Sequence, residues 1–339
     1  MPAPKLKQAR TFEGHEDHVS SCSVAADGST AVSGSWDNSV RCWDTSTGAC
    51  TAVMEGHTKH VFSTAIAPGG EWVLSGGEDG TVRRWDAAKG ECLATTAVTR
   101  HAPTEAEAQS LTTSFKMKKA NDNQIYGTAV VGDGRSFVCG CADYSVKLFS
   151  VGEAADELQQ SFLSHTSAVH AVSVFADGTR VLSGGGDRAL CVFDLAQQKL
   201  GQKIEDAHGA AVACCAVVDE NSVVSGGWDQ TARLFDLRSG KEVLAMTASS
   251  AASCVTSCAT LKGGAFAAFG CSVAEGSDDY GVSIWDLRKS TREFGHAAGL
   301  GISSLALAAD GQTLVSGCSD QTLRSWKVTQ GSSSVCTLM

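Results

Sequence analysis

The strongest constraint on this chain is a short segment that recurs seven times, each copy placing an aspartate in a turn ahead of a strand that usually closes on an aromatic–acid pair. The first copy reads SGSWDNSVRCWD (Ser33 to Asp44) and the second SGGEDGTVRRWD (Ser75 to Asp86). CGCADYSVKLFS, SGGGDRALCVFD, SGGWDQTARLFD, EGSDDYGVSIWD and SGCSDQTLRSWK follow. The turn aspartates are Asp37, Asp79, Asp143, Asp187, Asp229, Asp279 and Asp320, spaced by 42, 64, 44, 42, 50 and 41 residues. Four of the six spacings cluster near 42, so the two long ones read as insertions into a regular array. A unit of this size cannot bury its own apolar face and has to stack on its neighbours.

Five copies carry a histidine upstream of the aspartate, His15, His57, His165, His208 and His296, at 22, 22, 22, 21 and 24 residues. Between histidine and aspartate lie an apolar stretch and a turn such as AADGS, APGGE or FADGT. Asp-Gly between alternating apolar runs is a hairpin signal. The stretches are short, rich in Val, Thr, Ser and Cys, and punctuated by Gly, which favours strands over helices. Each unit therefore reads as four short antiparallel strands.

The Gly-His and Trp-Asp pairs at these spacings resemble the WD-repeat family, over residues 11 to 328. Seven copies then imply an all-β fold, a seven-bladed β-propeller of four-stranded antiparallel blades. The last copy ends at Trp326 and Lys327 without a fourth strand, and KQARTFE (Lys7 to Glu13) precedes the first histidine with no blade of its own. This leader is expected to supply the outer strand of blade seven and cover the edge of an open ring. The domain is expected to span residues 1–328, with an insertion at 95–123 on the top face between blades two and three and a flexible tail at 329–339.

A histidine, a second-strand serine, the turn aspartate and a third-strand tryptophan form a recurring set. In blade one it is His15, Ser33, Asp37 and Trp43; in blade two His57, Ser75, Asp79 and Trp85; in blade seven His296, Ser316, Asp320 and Trp326. Ser, His and Asp together invite a hydrolase reading. Catalysis needs such a group once, whereas a structural staple is needed in every blade. The resemblance implies the staple, so no catalytic residue is assigned. Blades four and five replace the tryptophan with Phe193 and Phe235. Blades three and six lack the histidine, and Glu275 stands where blade six would have its serine, which makes these two the expected soft blades. The HxxH pairs His15/His18 and His57/His60 do not suit a metal, because their first histidines belong to the staple and the pairs sit on turns. No metal or other cofactor is expected.

The resemblance also implies where partners touch: the residue before each turn aspartate, and the two residues flanking the apolar residue that opens each inner strand. The first set is Trp36, Glu78, Ala142, Gly186, Trp228, Asp278 and Ser319. The flanking set includes His18 and Ser20 about Val19, His60 and Phe62 about Val61, Tyr126 after Ile125 and His170 after Val169. Aromatic anchors of this kind dominate interface energetics. The expected binding residues are thus Trp36, Trp228, Phe62, Tyr126, His18, His60 and His170, with Glu78 and Asp278.

Blades five to seven resemble the heterotrimeric G-protein beta subunit in TARLFDLRSGKEVL (Thr231 to Leu244) and GSDDYGVSIWD (Gly276 to Asp286). About 13 residues with two prolines and no heptads precede the first Gly-His pair, so no coiled-coil gamma subunit is expected. A scaffold for protein partners is the main functional expectation. The alternative is a substrate receptor of a cullin-4 type ubiquitin ligase, because FDLR and WDLR resemble a WDxR docking box through Arg238 and Arg288.

Composition narrows the setting. A net charge of −10 disfavours duplex nucleic acid, which needs a basic face. Fourteen cysteines without a CxxC pair or an N-terminal hydrophobic core fit a reducing, cytoplasmic compartment. The sequence closes on Cys336, Thr337, Leu338 and Met339, a CaaX-like motif on a QGSSSV leash. A prenyl group on Cys336 would give weak, reversible membrane contact, since one chain alone anchors marginally.

Overall fold

The computed structural model describes residues 4–99, 123–153, 155–247, 254–261, 264–272, 281–289, 291–296 and 301–330, with 293–296 and 330 by backbone alone. Among the described residues, twenty-eight strands fall into seven four-stranded antiparallel sheets. Blade one takes Val19–Val24, Thr30–Ser35, Val40–Asp44 and Cys50–Met54, from the inside outward. The inner strands of successive blades pack on one another in a closed circle, and that of blade seven (Ile302–Leu307) meets that of blade one.

The ring closes through the leader. Pro4–Phe12 pairs antiparallel with Leu323–Gln330 as the outer strand of blade seven, with Lys7 opposite Lys327 and Phe12 opposite Leu323. Chain ends far apart in sequence thus share one sheet. Phe12 joins Val19, Trp43, Val315 and Leu323 in the core between blades seven and one. The blade-seven sheet reaches Gln330, two residues beyond the expected domain end.

Apolar clusters lie between neighbouring blades as well as within them. Val32 and Val40 of blade one pack with Val61, Val73 and Trp85 of blade two. This explains the small residue after each second-strand serine. A Cβ added to Gly34 would stand 2.7 Å from the Val61 side chain, and one added to Gly226 2.3 Å from that of Val255. Only glycine lets the next blade come this close. Blades two and three are also joined by a buried ion pair, Arg84 Nη2 to Asp156 Oδ1 at 3.2 Å.

The two long spacings have different origins. The first falls between the outer strand of blade two (Cys92–Ala97) and the inner strand of blade three (Ile125–Val131), and residues 100–122 of that insertion lie outside the described residues. The second lies inside blade six, between Phe266–Cys271 and Val282–Asp286. Gly270 pairs with Val282 there as Gly34 pairs with Val40 in blade one. The staple-serine position of blade six therefore belongs to Phe269 and not to Glu275, which lies outside the described residues. The extra residues between these two strands displaced the EGS tripeptide from the offset that marks the serine in the other blades.

Candidate functional site

The histidine–aspartate sets form closed relays. In blade one Trp43 Nε1 donates to Ser33 Oγ at 2.8 Å, Ser33 Oγ lies 2.7 Å from His15 Nε2, and His15 Nδ1 lies 2.7 Å from Asp37 Oδ2. One arrangement satisfies every atom: indole to serine, serine hydroxyl to Nε2, Nδ1–H to carboxylate. Blade two repeats it through Trp85, Ser75, His57 and Asp79 at 2.8, 2.7 and 2.8 Å. The distances are those of a hydrolytic triad, yet Ser33 and Ser75 have no exposed surface. A serine sealed behind a tryptophan cannot meet a substrate. Both ring nitrogens of His15 and His57 are committed to the staple. Blades four and five keep histidine, serine and aspartate without the indole, through His165, Ser183 and Asp187 and through His208, Ser225 and Asp229.

Blade three corrects the expectation of an unstapled sheet. Lys147 Nζ, buried, lies 2.5 Å from Asp143 Oδ2 and also bonds Ser145 Oγ. A third-strand cation four residues after the turn aspartate takes over the missing histidine's role. In blade seven Arg324 Nη2 likewise reaches Asp320 Oδ2 at 2.7 Å, and Trp326 Nε1 donates to Ser316 at 3.0 Å. His296 is the last residue of the outer strand of blade six, opposite Val282, and its side chain lies outside the described residues. In blade six Trp285 turns its Nε1 to Ser283 at 3.1 Å, because Phe269 offers no acceptor.

The staples make stability depend on pH with a definite sign. Burial by itself would raise the carboxyls of Asp37, Asp79 and Asp187, but the hydrogen bonds from their histidines help to hold them below the ordinary range. Asp229 is likewise held at about 2, against burial, by Gly209 N–H, Thr231 and His208. Their contribution is present above the unfolded value of about 3.9 and is lost as pH falls through the depressed folded values. Burial also lowers His18, His170 and His208, with Asp17, Asp187 and Asp229 respectively opposing. The unfolded chain takes up those protons near pH 6.5 while the folded one does not, so their contribution weakens below that. The urea midpoint is expected to be flat from about pH 7 to 8, to decline below about 6.5 and to fall again below about 4. A midpoint that rises on acidification from 7 to 5 would contradict this.

At the top face each residue before a turn aspartate is tied to the residue before an inner strand. Trp36 N–H donates to the His18 carbonyl at 3.0 Å, Glu78 to His60 at 2.8 Å and Trp228 to Ala211 at 2.9 Å. In blade six the equivalent bond runs from Ser272 to Cys254 at 3.0 Å, so Ser272 takes the place expected of Asp278, which lies outside the described residues. This backbone clamp sets side chains from distant segments beside one another, and the rings join into one arc. His18 meets Trp36 edge-on at 4.8 Å between centroids, and Trp36 stacks on His60 at 5.1 Å. His60 meets Phe62 at 6.3 Å, Phe62 stacks on Tyr126 at 5.4 Å, Tyr126 meets His170 at 5.1 Å and His170 meets Trp228 at 5.5 Å. The seven rings expected to bind partners thus form a continuous path over blades one to five. Trp36 and Trp228 are 40% and 53% exposed, unusually open for tryptophan. Glu78 faces His60 Nδ1 at 3.4 Å and Lys59 at 3.6 Å.

Below the arc lies a cavity of about 440 Å³, lined by His18, Trp36, Phe62, Tyr126, His170 and Trp228 at its mouth and by serine, threonine and cysteine side chains further in. Arg238 and Arg288 sit at the other end of the blades, in turns between third and outer strands. Arg238 Nε lies 3.4 Å from Asp236, and Arg288 makes a two-point pair with Asp286 at 2.7 and 2.9 Å. Cys336 lies outside the described residues. Among the described residues no helix is long and apolar enough to cross a membrane.

The repeat and the stapled ring together define a class, and comparison with known proteins agrees. Residues 6–44, 48–86, 156–194, 200–236 and 288–327, more than half the chain, match the WD domain, G-beta repeat family. The chain belongs to the WD40 family. Individual relatives match over single repeats. A stretch of 39 residues is 49% identical to the small ribosomal subunit protein RACK1 of Saccharomyces cerevisiae, covering 12% of each chain. Another of 42 residues is 43% identical to MST50-interacting protein 11 of Pyricularia oryzae, covering 12% of this chain and 13% of that one. A third of 51 residues is 39% identical to WD repeat-containing protein 18 of Rattus norvegicus, covering 15% and 12%. Each match spans about an eighth of the relative's length. The three inner strands of blades three and six fall outside the matched ranges, whereas their outer strands, Glu157–Leu163 and Thr291–His296, fall within them.

Proposed function

We propose that this propeller is a non-catalytic scaffold that holds a protein partner on its top face, through the aromatic arc from His18 to Trp228. The observation that carries the reading is the arc itself: seven rings from five blades share one surface and include two open tryptophans, Trp36 and Trp228. Two exposed indoles on a rigid ring bind with little entropic loss, because a tryptophan has few rotamers to freeze. The larger cavity, about 650 Å³ at the opposite mouth near blades four to six, competes poorly. Its arginine, Arg180, already lies over Phe175 and donates to the Glu220 carbonyl at 2.9 Å, and it has no exposed tryptophan. The relatives support a scaffold in kind: one is a ribosomal subunit protein and another is named for an interaction. In the ligase alternative Arg238 and Arg288 would leave their own aspartates to bind an adaptor.

Affinity purification from native cells with the wild type and with Trp36→Ala/Trp228→Ala separates these readings. Proteins held by the arc are expected to disappear from the variant, with recombinant binding weakened at least about 30-fold per tryptophan. Folding should be unaffected, since neither indole is in the core. Retention of every partner by this variant, with loss by Arg238→Ala/Arg288→Ala, would move the site to the other face.

A further inference from the structure

The chain has a net charge of −10, yet one of its outer strands is wholly basic. The first twelve residues hold Lys5, Lys7 and Arg10 and no acid, and they supply the outer strand of blade seven. Lys7 and Arg10 are three apart, a spacing that sends side chains to opposite faces of a regular strand. A bulge between Gln8 and Arg10 takes up Ala9, so Lys7 stands opposite Lys327 and Arg10 opposite Ser325. Ser325 and Lys327 alternate along their strand and share a face, which Arg10 and Lys7 therefore share as well. Lys5, opposite Thr329, joins them. Cations from both ends of the chain thus occupy one face of one sheet. That face turns toward blade one, since Phe12 and Leu323 on it pack with Val19 and Trp43.

Between this face and the turn that follows Asp44 of blade one lies a groove of about 510 Å³. Lys7, Arg10 and Lys327 line one side, Thr45 and Ser46 the other, and no Asp or Glu stands in the wall among the described residues. None of the three cations has an ion-pair partner among the described residues. Lys7 and Lys327 are like charges directly opposed, a pairing that destabilises a sheet. The blade-one turn does not relieve them. Asp44 Oδ1 accepts from the Ser46 and Thr47 N–H groups at 2.8 and 3.0 Å, and Thr45 Oγ1 donates to the Gly28 carbonyl at 2.6 Å. Lysines on an edge strand can deter pairing with other chains. The outer strands of blades one and two, CTAVM and CLATTA, do without any charge, so edge protection does not require this cluster. A local conflict of this kind marks a functional site.

We propose that Lys7, Arg10 and Lys327 form a binding site for a compact group bearing several phosphates, of the inositol phosphate kind, either free or as a lipid head group. An anion bridging Lys7 and Lys327 turns their repulsion into attraction, and the Arg10 guanidinium can meet a phosphate with two parallel N–H bonds. The groove falls within the range of about 300–1,000 Å³ usual for small-molecule sites. No aromatic side chain lines it to stack a base, which disfavours a nucleic-acid strand. The site sits on the outer rim, beside a turn at the end of the blades opposite the aromatic arc, and it does not depend on the top-face reading.

The test titrates the recombinant full chain with inositol trisphosphate, inorganic phosphate and a single-stranded RNA oligonucleotide by calorimetry. In parallel, the chain is floated with phosphatidylcholine vesicles carrying phosphatidylinositol bisphosphate or, at equal charge, phosphatidylserine. Inositol trisphosphate is expected to bind at least about 10-fold more tightly than inorganic phosphate, and at least about 30-fold more weakly to Lys7→Gln/Arg10→Gln/Lys327→Gln than to the wild type. Trp36→Ala/Trp228→Ala should bind it as the wild type does. Without ligand, Lys7→Gln is expected to melt no lower than the wild type, because a repulsion has been removed. Arg10→Gln and Lys327→Gln alone carry the same titrations if the triple variant does not fold. Flotation with the phosphoinositide vesicles assigns the group to a lipid head group, and soluble binding without flotation assigns it to a free phosphate ester; either supports the site. No binding in either format, binding that the glutamine variants leave unchanged, tighter binding of the RNA than of inositol trisphosphate, or flotation that is equal on phosphatidylserine without soluble binding would overturn the proposal.

Discussion

Removal of residues 1–13 is expected to abolish cooperative folding, although the segment precedes the first Gly-His pair. Those residues carry the outer strand of blade seven, paired along its length with Leu323–Gln330. Leu6 and Phe12 are buried at 6% and 1% exposure. Truncating buried leucine and phenylalanine side chains costs about 2–5 and 3–5 kcal/mol respectively. Loss of the strand's ladder and an open sheet edge add to that. The sum approaches the whole stability of an ordinary domain, about 5–15 kcal/mol. Circular dichroism and urea titration of the truncated chain check this, and a truncated protein that unfolds in a single transition near the wild-type midpoint would refute it. Leu6→Ala/Phe12→Ala in the full chain should show a substantial part of the loss.

The second large effect is Lys147→Ala. Lys147 and Asp143 are 1% and 3% exposed at the side chain, so the pair has been withdrawn from water. Removing the cation strands a carboxylate in the interior, a change that costs about 3–5 kcal/mol in buried pairs. Replacing both charges, in Asp143→Asn/Lys147→Met, should recover most of that loss, because neither partner is then left uncompensated. Urea midpoints of the two variants distinguish a buried staple from a surface pair, for which Lys147→Ala would cost under about 1 kcal/mol.

Much of the fold was legible because the repeat is written in residues that each do one physical job. The turn aspartate accepts backbone N–H groups, as Asp37 does from Ser39 at 2.8 Å and Glu16 at 3.1 Å. The serine sits where an indole and an imidazole converge, and the glycine after it lets the next blade approach. The seven rings of the arc were legible for the same reason, since each occupies a fixed offset from one of these markers. Blade six departs from the pattern where extra residues between its second and third strands break the offset, so that Phe269 and Ser272 hold the positions expected of Glu275 and Asp278. Blade three was misread in a different way. A lysine in a strand looks like solvent-facing decoration until the turn folds its Nζ back onto Asp143.

By itself the sequence determined the number of blades, their order and the closing role of the leader, because periodic local signals leave a stacked ring as the way to bury each unit's apolar face. The tertiary structure alone decided which side chains meet across blades. His18, Phe62, Tyr126, His170 and Trp228 come from segments spread over more than 200 residues, and nothing in their local sequence says that their rings touch. The physical reason is that pattern and spacing encode the burial of each strand, whereas contact between strands depends on the ring that all seven blades build together.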